Sequence, residues 1–256
     1  MLSTTASYQL IANNLPRWLD QTARKPEVAR DTAFYLQNIG KVTTIDQFLN
    51  DYRLFSYAMK AFGLSDMVYA KAFMRKVLAE GTSSKDAFAN KLVDTRYREF
   101  AAAFDFARLG GSATHTTAAQ TGTVQKFVRQ TLEGAQNDGV RLALYFERKA
   151  SGITNAFSIL ADPALLETAR TALGISATTA MADVDKQAAM LSARLNFADF
   201  HDPVKLHKFL QRFTAMWEAQ NSQAAASIPS ISISQPSTSG ISTDTLMTLQ
   251  TLKIGK

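Results

Sequence analysis

The feature that most constrains the fold is an internal duplication with an offset of 111 residues. Residues 32–64 align with residues 143–175, and the identical pairs fall at positions that set local structure. The pairs include Thr43 with Thr154, Asp51 with Asp162, Leu54 with Leu165, Ala58 with Ala169, Ala61 with Ala172, Gly63 with Gly174 and, just upstream, Arg30 with Arg141. A chain that repeats one pattern in this way is expected to fold as two similar halves.

The matched positions predict one helix that occurs twice. Asp51 and Asp162 are placed to cap the helix starts, because a carboxylate accepts hydrogen bonds from amides that lack partners in the first turn. Gly63 and Gly174 follow the last apolar position, where glycine permits the left-handed backbone that ends a helix. We therefore interpret these four residues as structural caps.

Helical spacing of apolar residues continues through most of the chain, and alternating strand patterns are nearly absent from its body. The prediction is an all-α protein, in which two duplicated helical halves, residues 16–110 and 123–221, pack into one body. Three other segments are expected to be flexible, since they lack this spacing or are small and polar: residues 1–15, the join at 111–122, and the tail at 222–256.

The tail ends in an apolar segment that is a candidate for docking onto another surface. It follows residues 222–243, a stretch rich in serine, with two prolines and several isoleucines. The candidate docking residues are Leu246, Met247, Leu249 and Leu252. A groove on this protein or on a partner would cover them if they formed a helix. The alternative is a disordered end with no role.

The residue types present argue against familiar catalytic and metal sites. The chain has no cysteine, which excludes disulfides, thiolate nucleophiles and cysteine metal ligands. His201 and His207 are six residues apart, which is not the one-turn spacing of paired metal ligands on a helix. A weak metal site with the nearby Asp199 and Asp202 is the alternative to solvated histidines beside capping aspartates. We predict no catalytic residue, no metal and no cofactor.

Two acid and base pairs are spaced two residues apart, Asp51 with Arg53 and Asp94 with Arg96. Each arginine could hold the carboxylate or phosphate of a ligand. Alternatively, each aspartate caps a helix while the arginine pairs with a neighbouring helix. We favour the second interpretation because surface ion pairs are common.

The net charge of +6 invites a nucleic-acid interpretation. Lysine and arginine are interspersed with acidic residues, however, and no recognised nucleic-acid-binding motif is present, so a solvated helical surface is the simpler explanation. No apolar run approaches the roughly 18 residues that span a bilayer, so no membrane span is expected. The first residues lack the basic and apolar pattern of a cleaved signal peptide.

Four stretches resemble one known family, the alphaproteobacterial domain of unknown function 1217. They are residues 38–81, 88–106, 141–162 and 245–253, so the likeness extends over nearly the whole chain. The resemblance implies an all-helical fold. It also implies a flagellar setting, because genes of the family commonly sit among flagellar genes. No catalytic residue comes with the resemblance.

The expected function is therefore that of a non-enzymatic structural or assembly protein of the bacterial flagellar system. Such a protein would act through contacts with a protein partner, in the cytoplasm or exported with the flagellum. One alternative is a regulatory binding module of the flagellar regulon, with an RNA or an acidic protein as its partner. Another is an enzyme with an unfamiliar site at His201 or His207.

Overall fold

The computed structural model describes residues 2–176, 178–179 and 182–225. The chain divides into a compact unit, Met1–Glu218, and a second unit, Ala219–Lys256, of which only the end of the last helix is described. The docking residues expected in the tail lie outside the described residues. Within the described ranges all regular structure is helical, which confirms the all-α prediction. No helix in these ranges is long and apolar enough to cross a membrane.

The α-helices are short, apart from the last. In chain order they are α1 (Thr4–Ala12), α2 (Leu15–Ala23), α3 (Pro26–Ile39), α4 (Ile45–Asn50), α5 (Tyr52–Ala61), α6 (Lys71–Glu80), α7 (Phe88–Lys91), α8 (Thr95–Ala103), α9 (Phe106–Leu109), α10 (Thr123–Gly134), α11 (Asp138–Lys149), α12 (Ala156–Leu160), α13 (Pro163–Leu173), α14 (Val184–Ser192) and α15 (Pro203–Ala225). Turns of 3-10 helix connect several of them, and a π-helical turn, Ala118–Gly122, leads directly into α10.

The duplication is visible in the order of the helices. A shift of 111 residues places α2, α3, α4, α5 and α6 over α10, α11, α12, α13 and α14, with similar bounds in each pair. The same shift places α8 within α15. The two halves therefore share one succession of helices.

The four cap positions have the geometry of helix ends. Asp51 Oδ1 accepts a hydrogen bond of 3.0 Å from the Leu54 amide at the start of α5. Asp162 Oδ1 accepts from two amides of the first turn of α13, at 2.9 and 3.2 Å. Gly63 and Gly174 have φ angles of +71° and +64°, which place them in the region that favours glycine.

Each half surrounds its own apolar core. The core of the first half is rich in phenylalanine, with Phe48 and Phe104 fully buried at a ring separation of 4.8 Å. The core of the second half contains Phe146 and Phe213. Helix α10 connects the two, because its first turns pack into the first core while Leu132 packs into the second. Burial of these side chains is the main source of stability.

The amino-terminal segment differs from the flexible one expected for residues 1–15. Ser3 caps α1 by accepting from the Ala6 amide at 3.1 Å. Tyr8 and Ile11, one helical turn apart, are buried in the core of the second half, where α1 packs on α11. The helix is ordered because this core covers its apolar face, and that contact lies far away along the sequence.

The join at residues 111–122 also differs from expectation. Thr114 donates a hydrogen bond of 2.8 Å from its hydroxyl to the Val42 carbonyl, and Tyr35 donates one of 2.6 Å to the Ala119 carbonyl. These bonds hold the join against the first half. The segment that precedes each half thus packs on the other half, and this exchange ties the halves together.

Gly139 makes the contact of α1 with α11 possible. A Cβ atom at this position would lie 2.4 Å from Trp217 Cδ1 and 2.7 Å from Thr4 Cγ2. We expect Gly139→Ala to lower the free energy of unfolding by about 1–3 kcal/mol, since overpacking forces neighbouring groups to move. The matched control is Gly134→Ala on α10, where nothing lies within 4 Å of the added Cβ.

Urea unfolding of the two variants checks this expectation. In Gly134→Ala the higher helix propensity of alanine is expected to raise stability by up to about 1 kcal/mol. Equal stability of the two variants would contradict the packing of α1 described above.

Candidate functional site: a charged cleft between the two halves

A cleft of about 770 Å³ lies between the halves. Residues 93–99, around the start of α8, form one wall. Residues 145–165, from the end of α11 to the start of α13, form the other. Most polar side chains in the cleft already have partners, and these partners fix the geometry of the cleft.

Asp94 and Arg96 form the first of these contacts. Asp94 caps α8 by accepting from the Arg96 amide at 2.9 Å, and its carboxylate also accepts from the Arg96 guanidinium at 2.7 to 3.0 Å. A further Arg96 nitrogen donates to the carbonyl of Gly63. Partial burial disfavours the charge of Asp94, but the hydrogen bonds from Arg96 outweigh it and lower the pKa of Asp94. The pair therefore joins the start of α8 to the end of α5.

Glu99 connects the two walls. Its Oε1 atom accepts from Lys149 Nζ at 2.6 Å, and its Oε2 atom lies 3.6 Å from Lys126 Nζ. Partial burial opposes the charge, yet the bond from Lys149 and the two ammonium charges lower the pKa of Glu99. Because Glu99 is on α8 and the lysines are on α10 and α11, this cluster bridges the halves.

Tyr145 and Asp162 form the third contact. The Tyr145 hydroxyl donates to Asp162 Oδ2 at 2.5 Å, while the other carboxylate oxygen caps α13. Burial, followed by the bond to Asp162, raises the pKa of Tyr145. The equivalent position in the first half is Phe34, which has no hydroxyl, so the duplicated cap at Asp51 cannot receive this bond.

A buried ion cluster supports the wall formed by α11. Glu133 is 2 % exposed and accepts from Arg129 Nε at 2.7 Å and from Arg148 at 2.9 and 3.0 Å. Arg129 also donates to the Leu144 carbonyl at 3.0 Å. These bonds hold α10 and α11 together and orient the face of α11 that carries Tyr145.

The rim of the cleft is different in character. Val93, which lines it, is 74 % exposed, and Phe157, next to the lining residue Ser158, is 54 % exposed. Arg98 lines the cleft, is exposed, and forms no ion pair with the described residues. The cleft thus combines a fixed floor with an exposed apolar and cationic rim, which are groups suited to binding.

The residues singled out in the sequence lie in different places. Asp94, Arg96 and Asp162 meet in the cleft, whereas Arg53 pairs with Asp31 of α3 at 3.0 Å. His207 stacks against Tyr8 with a ring separation of 5.6 Å. His201 is exposed at the end of a 3-10 turn. No group of three potential ligands gathers around either histidine in the part of the chain that is described.

Sequence reasoning missed Glu99, Lys149 and Tyr145. Glu99 and Lys149 are 50 residues apart and carry no local signature, so only the packing of the halves brings them together. For Tyr145 a signal existed, because the aligned residue in the other half is a phenylalanine. A tyrosine replacing a phenylalanine near a cap position indicates a partner for the hydroxyl group.

The lowered pKa values make stability depend on pH. A carboxyl whose folded pKa lies below its unfolded value, about 3.9 for aspartate, stabilises the fold above that value. The contribution is lost as pH falls through the folded pKa. Asp94→Asn retains a capping side chain but has no charge to lose. We therefore expect its free energy of unfolding to fall less between about pH 5 and pH 3 than that of the original protein. Urea unfolding at several pH values measures it.

The control for this titration is Glu27→Gln on α3, an exposed carboxylate outside the ion pairs of the described residues. An acid dependence that is the same in Asp94→Asn and in the original protein would show that the contact with Arg96 does not stabilise the charged form.

Comparisons with known proteins give two matches. A family model described as "Protein of unknown function (DUF1217)" matches residues 61–206. The crystal structure of protein AGR_C_984 from Agrobacterium tumefaciens is 52 % identical and superposes with a TM-score of 0.78, covering 85 % of this chain and 94 % of that one. A search of curated proteins found no match.

Proposed function

Because the chain belongs to the DUF1217 family of proteins of unknown function, we propose that it is a structural or assembly protein of the bacterial flagellar system. It acts through protein–protein contacts and not as an enzyme. The flagellar setting is supported by the family resemblance, since genes of that family commonly sit among flagellar genes. The mode of action is supported by the cleft.

The observation that carries the proposal is the contrast between the floor and the rim of the cleft. On the floor, the carboxylates of Asp94, Glu99 and Asp162 are held by cations, amides or a hydroxyl, and these bonds give them a structural role. On the rim, exposed apolar groups and Arg98 remain free for contact. Covering exposed apolar side chains favours association, and arginine is enriched in protein interfaces.

The rigid floor of the cleft also favours binding of a partner. The buried ion cluster and the bridge from Glu99 to Lys149 fix the two walls before any partner arrives. Since little conformational freedom is lost on binding, more of the contact energy is available as affinity. A segment of another protein that enters the cleft would touch both halves at once.

Deletion of the gene tests the flagellar role. The proposal predicts loss or strong reduction of swimming in soft agar, with recovery when the original gene is supplied on a plasmid. Normal flagella and normal swimming in the deletion strain would remove the proposal.

Fractionation with one antibody distinguishes the two locations that the proposal allows. An assembly factor is expected in the cytoplasm, whereas a structural component is expected in purified flagella or in the culture medium. Absence of the protein from all three fractions in swimming cells would contradict both forms of the proposal.

A further inference from the structure

A second surface shares no lining residue with the cleft and presents two exposed tyrosines. Tyr52, in the first turn of α5, is 57 % exposed, and Tyr69, just before α6, is 81 % exposed. Tyr52 lines a pocket beside α5, and Tyr69 directly follows Val68, which lines the same pocket. Tyrosine is enriched in protein interfaces relative to the rest of the protein surface.

The pocket beside Tyr52 has a volume of about 260 Å³ and a rigid floor. The floor contains Tyr57, whose ring stacks between Tyr35 at 4.4 Å and Phe127 at 3.8 Å. The Tyr57 hydroxyl is also hydrogen-bonded to Thr32 at 2.9 Å. A surface that is already fixed in the free protein loses little entropy when it binds.

The charges of this pocket leave one cation available. Asp31 and Arg53 are paired at 3.0 Å, and the Arg53 guanidinium lies 3.8 Å above the Phe34 ring. Lys60 Nζ lies 4.8 Å from the centre of the Phe127 ring and has no carboxylate partner among the described residues. The pocket thus complements a single negative charge.

We propose that the surface formed by Tyr52, Lys60 and Tyr69, named here the tyrosine surface, binds an acidic segment of a partner protein. An apolar side chain of that segment packs between the two tyrosine rings. A neighbouring aspartate or glutamate pairs with Lys60. This surface is separate from the cleft and does not depend on the flagellar setting of the proposed function.

A protein segment fits the tyrosine surface better than a nucleic acid does. A phosphate backbone carries one charge per nucleotide and is held by a row of lysines and arginines. Here the second cation, Arg53, is neutralised by Asp31, and that carboxylate would repel a neighbouring phosphate. A protein segment with one carboxylate beside an apolar side chain complements the groups that remain, which are Lys60 and the two exposed tyrosines.

Selection from a random peptide library displayed on phage tests the proposal. The full-length protein is the bait, and the variant Tyr52→Ser/Lys60→Glu/Tyr69→Ser is used for counter-selection. We expect enriched peptides with an acidic residue beside an aromatic or aliphatic one. Synthetic copies of them are expected to bind the variant at least tenfold more weakly in fluorescence anisotropy.

The matched control is Val184→Ser/Lys186→Glu/Val204→Ser, which makes the same kinds of change at exposed positions elsewhere. It is expected to bind the selected peptides like the original protein. If the triple variant melts at a lower temperature than this control, the single variant Lys60→Glu replaces it. The selected peptides are expected to bind that variant at least tenfold more weakly as well.

Four results would overturn the proposal. Basic selected peptides, or peptides that bind the variant as well as they bind the original protein, would remove the role of Lys60 and the tyrosines. Displacement of the peptides by poly-uridylate would assign the surface to nucleic acid. Tight binding of a synthetic peptide of residues 243–256, lost in the variant, would make the chain's own end the occupant.

Discussion

Replacing Glu133 by alanine is expected to lower the free energy of unfolding by about 3–5 kcal/mol. Glu133 is the only carboxylate bonded to Arg129 and Arg148 in the described part of the chain, and both arginine side chains are largely buried. Its removal leaves two largely buried guanidinium groups without the carboxylate that accepts their hydrogen bonds. Urea unfolding, followed by circular dichroism, measures the loss.

The matched control for Glu133→Ala is Asp20→Ala, which removes an acid from an exposed i,i+4 pair with Arg24. That change is expected to cost less than about 1 kcal/mol, because water solvates both partners in its absence. Equal stability of the two variants would contradict the view that the buried cluster holds α10 against α11.

Replacing Tyr8 by alanine is expected to have a similar effect, about 3–5 kcal/mol. The ring is 1 % exposed and fills the core of the second half, where it also stacks on His207. The change leaves a large cavity between α1, α11 and α15. It tests whether the amino-terminal segment is an integral part of the fold.

Leu10→Ala on the same helix is the matched control for Tyr8→Ala. Leu10 is exposed, so its truncation is expected to change stability by no more than about 0.5 kcal/mol. A Tyr8→Ala protein as stable as Leu10→Ala would show that α1 contributes nothing to the second core.

The helices and their ends could be predicted because local residues determine them. A capping aspartate such as Asp162 and a terminal glycine such as Gly174 act within one or two turns, and duplication displays each signal twice. The all-helical fold followed from apolar spacing for the same reason. The offset of 111 residues then fixed the succession of helices in both halves.

The order of α1 and of the join could not be predicted, because contacts distant in sequence create it. Tyr8 packs into the core of the second half, and the Ala119 carbonyl accepts a hydrogen bond from Tyr35 of the first half. Short segments rich in alanine, serine and threonine look flexible when they are considered alone. Composition does not reveal a groove elsewhere that receives them.

The candidate site was hidden for a similar reason. Arg129 and Glu133 are four residues apart, a spacing that is typical of exposed pairs on a helix. Only the packing of Arg148 from α11 turns them into a buried cluster. The cap at Asp94 could be predicted from the sequence. The hydrogen bond from Arg96 to the Gly63 carbonyl could not.

We propose that the rim of the cleft binds another protein during flagellar function. Swimming in soft agar, in a deletion strain that carries Val93→Ser/Arg98→Glu/Phe157→Ser, tests it most directly. The control strain carries Leu10→Ser/Val204→Ser/Arg212→Glu, which changes exposed residues outside the cleft. Immunoblots and melting curves establish that both variants are present and folded.

We expect the rim variant to swim no better than the deletion strain, while the control swims like the original strain. The physical reason is that the rim variant removes the exposed apolar groups and reverses the unpaired charge without touching the ion pairs of the floor. A rim variant that is present at normal levels and swims as far as the control would contradict the claim.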